Sequence, residues 1–137
     1  MNPNIRNVIG VFVGLSLGMF INGYLVSISG TVVPPPEGAI LTTEEGLKEA
    51  MHLMQPKHFI MPFLAHAIGT FVGALLTALI ADTRKMRLAL SVGVVFLIGG
   101  IAMVYILPSP LWFTVLDLVG AYIPMAYLAA KLVEKRG

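Results

Sequence analysis

The stretch LWFTVLDLVGAYIP, residues 111 to 124, is apolar almost throughout and yet carries Asp117 near its middle. A carboxylate in such company can hold a cation, exchange a proton or anchor a hydrogen bond, and it needs a partner at its own depth. His66, in the run FLAHAIG, and Asn22, in MFINGYL, are the candidate partners. An acid beside an imidazole suits proton exchange, because imidazole is the side chain that changes charge between pH 5 and 8. The same three residues can also serve only to specify how helices pack.

The residues around Asp117 favour a close neighbour. Thr114, Gly120 and Ala121 share its helical face. Pro124 is a hinge: inside a helix it has no N–H for the Gly120 carbonyl, which leaves that oxygen free and favours a kink. Tyr105, Trp112 and Tyr122 fall in the same part of the chain, where aromatic residues near span ends usually act as interface anchors.

Other chemistry has little support. The absence of cysteine removes disulfides, thiolate metal sites and thiol redox chemistry. No Ser/His/Asp spacing, Gly-rich phosphate loop or His-Glu-x-x-His motif is present. His52, His58 and His66 are spaced so that one helical face does not carry all three, which gives a metal no ligand set from a single helix. We therefore expect no enzyme activity, no metal and no cofactor.

The elements that must position these residues are membrane spans. Hydrophobic residues make up 57% of the 137-residue chain and charged residues only 12%, the balance of a protein built for lipid. Four runs, at about 8–28, 59–81, 88–107 and 111–130, are long and apolar enough to cross hydrocarbon. Each must be helical, because lipid offers backbone groups no partners. The expected fold is an all-α integral membrane protein, with residues 1–137 forming a single four-helix domain. The first run is longer than a typical signal core and is read as a retained span.

Basic residues sort by side: Arg6, Arg84, Lys85, Arg87, Lys131, Lys135 and Arg136 fall at one end of such a bundle, and only Lys48 and Lys57 at the other. By the positive-inside rule both termini are cytoplasmic and the multi-pass chain belongs to a plasma, or inner, membrane. This orientation accounts for the net charge of +2 without a nucleic-acid partner. The outer loop, residues 34–57, leaves the first span through Pro34, Pro35 and Pro36. Thr42 and Glu45 have the spacing of a capping box, and they predict a short amphipathic helix that Pro56 ends. His58, at the outer boundary, is expected to be solvated.

Helices in lipid associate where small residues let backbones approach. Gly10, Gly14 and Gly18, and then Gly69 and Gly73, form two such faces, for a partner in the same chain or in another subunit. Four short spans bury little surface, so a homo-oligomer is expected. Asn22 lies sixteen residues from Arg6, and His66 sixteen from Asp82, about 24 Å along a helix in each case. Asp117 lies fourteen residues from Lys131, about 21 Å. Counted this way, all three polar residues share one level. The leading expectation is a small multi-pass membrane protein that binds or passes a small solute or ion through Asp117, His66 and Asn22. The alternative is an accessory or structural subunit.

Overall fold

Asn2 starts the first helix, its side chain accepting from the Asn4 N–H at 2.8 Å while Pro3 occupies the first turn. Proline costs nothing there, because the first N–H groups of a helix have no intrahelical partner. In the computed structural model, which describes residues 1–137, α1 runs over Pro3–Val32, α2 over Glu44–Ala50, α3 over Ile60–Ile80, α4 over Lys85–Ile106, α5 over Leu111–Gly120 and α6 over Ile123–Arg136. A tight helical turn at Pro56–Phe59 leads into α3. There are no strands. Four helical stretches, Pro3–Val32, Pro56–Ile80, Lys85–Ile106 and Leu111–Arg136, are long and apolar enough to cross a membrane.

The first span is longer than its apolar core at 8–28 implies, because polar residues Asn4, Arg6 and Asn7 continue the helix outward. Arg6 and Asn7 do so because they have partners. Arg6 pairs with Asp82 at 2.8 Å and donates to the Ile80 carbonyl at 3.2 Å. Asn7 accepts from the N–H groups of Asp82 and Thr83 and donates to the Thr83 hydroxyl. This clamp holds the α3–α4 turn, in which Arg84 takes a left-handed conformation with φ of 53°.

Above the clamp, α1 and α3 run antiparallel with their backbones nearly touching. A Cβ at Gly18 would stand 2.8 Å from the Gly69 carbonyl oxygen, and one at Gly73 would stand 2.7 Å from that of Gly14. A Cβ at Gly14 would collide with Thr77. The Thr77 hydroxyl occupies that space and lies within bonding distance of the Gly10 and Gly73 carbonyls. The two glycine faces thus meet each other within one chain.

Alanine does the same work on the far side of α3. Ala74, Ala78, Ala89, Ala126, Ala129 and Ala130 form a buried layer among α3, α4 and α6. Between helices in lipid there is no water to expel, so close van der Waals contact carries the packing. A second layer, Ala67, Val92, Phe96, Ala121 and Tyr122, lies nearer the polar residues.

Three local expectations fail. The helix of the long connection is capped by Thr43, not Thr42: the Thr43 hydroxyl accepts from the Gly46 N–H at 3.0 Å. It also ends at Ala50, well before Pro56, which starts the next helical turn. A 2.8 Å bond from Lys48 spans one turn of α2 and, with the ammonium charge, holds the Glu44 carboxyl below its usual range. His58, expected to be solvated, is tied at both ring nitrogens. Its Nδ1 accepts from the Gln55 N–H, which leaves Nε2–H to donate to the Pro34 carbonyl at 3.1 Å.

Candidate functional site

Asp117 is placed by the short helix α5, whose buried face consists of Phe113 and, one turn on, Asp117 itself. Phe113 fixes the start of that helix: it packs on Phe59 with centroids 4.7 Å apart, and Trp112 meets the same ring edge-on at 5.5 Å. Trp112 therefore touches an aromatic cluster where α5 meets the Pro56–Phe59 turn while staying half-exposed, and Tyr105 is exposed. Thr114 turns to Ser109, 2.8 Å between hydroxyls, and takes no part in the site.

His66 stands on α3 between Ala65 and Ala67, both buried, so neighbouring elements come close to its ring. Its Nδ1 lies 2.7 Å from Asp117 Oδ1. The other carboxylate oxygen accepts from the Tyr122 hydroxyl at 3.0 Å. The imidazole and phenol rings stack, centroids 5.7 Å apart and 25° from parallel. With Asp117 ionised both partners donate, because a carboxylate only accepts. That fixes the proton of a neutral imidazole on Nδ1 and leaves Nε2 as the free nitrogen. The acid is nearly sealed, at 7% side-chain exposure, while the imidazole keeps 23%.

Tyr122 reaches the acid because the fourth span breaks there. Pro124 does not kink a continuous helix. It sits in the first turn of α6, and the helical hydrogen-bond ladder is interrupted at Tyr122, with φ of −114° and ψ of −79°. The physical reason is twofold: Pro124 has no N–H for the Gly120 carbonyl, and a proline is at ease only where a helix begins. The Tyr122 N–H finds no backbone acceptor either. Room for the phenol comes from α4, where a Cβ at Gly100 would lie 2.8 Å from the ring.

Asn22 does not bond to either member of the pair. It belongs to α1, whose main partner is α3, and its Cβ packs 2.9 Å from where a Gly69 side chain would begin. Its carbonyl oxygen is buried without a hydrogen-bond partner. Asn22 meets α3 at Gly69, whereas Asp117 meets it three residues earlier, at His66. Thr70, one turn beyond His66, escaped the sequence reading altogether. It is fully buried and its hydroxyl is likewise unpartnered. The signal was available in the four-residue spacing from His66, hidden among small residues that read as packing.

His52, His58 and His66 occupy separate places, and no three His, Asp or Glu side chains converge. No protein-family model, curated protein or solved structure matches the chain.

Proposed function

We propose that this protein binds or passes a small ion, with the proton as the leading candidate, at the Asp117–His66 pair. One observation carries the reading: a buried acid, an imidazole and a phenol are linked by two hydrogen bonds where a membrane span is broken. Irregular backbone at membrane depth is tolerated where protein buries it or where it lines a wet cavity. Broken helices with polar residues at the break are a recurring way to build an ion site. The imidazole, more exposed than the acid, is the edge that exchanges protons, and Asp117 orients it. Asn22 and Thr70 contribute unbonded polar atoms to the neighbouring helix contacts.

In this reading the basic end of the bundle is cytoplasmic, so both termini face the cytoplasm of a cell enclosed by a plasma, or inner, membrane. The connection that holds α2 then lies outside, with α2 as an amphipathic segment at the membrane surface. A homo-oligomer supplies further buried area for four thinly packed spans.

The test is proton flux in vesicles holding the purified chain and a trapped pH dye, under an imposed pH gradient with potassium and valinomycin present. Asp117→Asn should insert normally and lower the flux at least about tenfold, since it keeps shape and hydrogen bonding but loses the charge. Wild-type flux no higher than that of empty vesicles would refute the reading. A second reading, an accessory or structural subunit, is favoured by a different fact: both oxygens of Asp117 already have partners within the chain.

A further inference from the structure

Between α1 and α4, on the half of the bundle that carries the Asn7 clamp, lies a groove of about 370 Å³. Val8, Val11, Phe12 and Leu15 of α1 line it together with Leu88 of α4, and Asn7 closes its polar end. The groove is apolar along its length and becomes cationic at that end. Lys85 precedes Leu88 by three residues and so shares its side of α4, and Arg84 stands in the left-handed turn just before the helix. Arg87 is the immediate neighbour of Leu88. None of the three makes an ion pair: the paired basic residues are Arg6, Lys48, His66 and Lys131. Asp82, the nearest acid in sequence, is taken by Arg6.

We infer that this groove is a binding site for one anionic phospholipid, its acyl chain against Val8, Val11, Phe12 and Leu15 and its phosphate at Arg84, Lys85 and Arg87. The match is of shape and charge together. An acyl chain covers the apolar wall, and the phosphate meets the three unpaired cations at the level where a headgroup begins. A second copy of the chain fits this face badly. Paired about an axis along the membrane normal, two copies would bring the same three cations together, and like charges at an interface are repelled. In the orientation proposed above, the groove opens to the cytoplasmic leaflet, where anionic lipid attracts basic segments near the surface.

The experiment uses the full chain in neutral detergent, with retained lipid counted by native mass spectrometry. Phosphatidylglycerol and phosphatidylcholine of identical acyl chains are offered at equal concentration. Phosphatidylglycerol should be retained preferentially, and each of Lys85→Gln and Arg87→Gln should lower that preference about five-fold. Val8→Trp, at an exposed rim position, should lower retention with every charge intact. Lys131→Gln with Lys135→Gln, a larger loss of charge elsewhere, should leave the preference unchanged. Equal retention of the two lipids overturns the proposal, as does an equal effect of the distant pair, which would mark a diffuse surface attraction. Undiminished retention in Val8→Trp overturns it too, provided Phe12→Trp gives the same result, as does displacement of the lipid by inorganic phosphate alone. A cross-linked dimer through Val8→Cys would show the groove to be a subunit interface instead.

Discussion

His66 Nδ1 and Asp117 Oδ1 lie 2.7 Å apart although 51 residues separate them in the chain. They come from different spans, so the contact is as much a test of helix packing as of chemistry. His66→Gln and Asp117→Asn should each cost stability of about 1–2 kcal/mol. The double variant separates the two readings: a cost no larger than either single change marks a structural unit, and additive costs mark a pair whose members act separately. Thermal unfolding in detergent provides the measurement.

Tyr122→Phe should remove one donor from Asp117 and cost about 1 kcal/mol, while leaving the ring stack in place. Gly100→Val should reach the same state from α4, by pushing the phenol away from the acid. The two variants should therefore shift the pH profile of flux or stability alike. A Gly100→Val protein indistinguishable from wild type would exclude the proposed fit between Gly100 and the ring.

Thr70→Val replaces a buried hydroxyl that has no partner with a methyl of similar size. Unpaired buried hydroxyls are unfavourable by about 1–3 kcal/mol, so the variant should be as stable as wild type or more so. A marked loss would mean that the hydroxyl has a hydrogen-bond partner in the membrane, such as a bound water or ion.

Along the α1–α3 seam, Gly14→Leu and Gly73→Leu should destabilise by about 1–3 kcal/mol or prevent folding, because backbone and Thr77 already fill the space. Gly23 and Gly99 have nothing within 4 Å of an added Cβ. Leucine there should be tolerated, and equal damage at all four positions would argue that helix insertion, not packing, is being disturbed.

Orientation is tested by cysteine labelling in intact cells, with the chain free of native cysteine. Thr43→Cys should react with an impermeant reagent and Lys135→Cys should not. The reverse pattern would invert the proposed topology.

The four spans were legible because lipid demands long apolar helices, and the glycine spacing identified the faces of α1 and α3. Counting from Arg6 and Asp82 was sound in retrospect for a reason the sequence concealed: those two residues are bonded to each other, so the two counts share an origin. What a count along an axis lacks is rotation about it. Asn22 was therefore grouped with Asp117, although it packs at Gly69. Tyr122 was visible only as one of three aromatics, with Tyr105 and Trp112, in the same part of the chain as Asp117, since its direction depends on where the helix breaks and on the missing side chain at Gly100. The Thr43 cap was misplaced by one residue because only Thr42 has a glutamate, Glu45, three residues on, whereas Thr43 has Gly46 at that spacing and caps its N–H all the same.

The Gly10–Gly14–Gly18 face also has a consequence for biogenesis. Its only extensive partner is α3, which follows after the whole 34–57 connection has been made, so α1 must wait in the bilayer as a solitary helix during synthesis. Once α3 enters, the seam can close, and the Arg6–Asp82 pair can form only when the chain has passed residue 82. The α4 and α6 alanine layer is built on the opposite side of α3 and has no platform until then. Assembly thus runs through α3, and a chain released before α3 is made would leave α1 as a lone helix in place of a partly folded bundle.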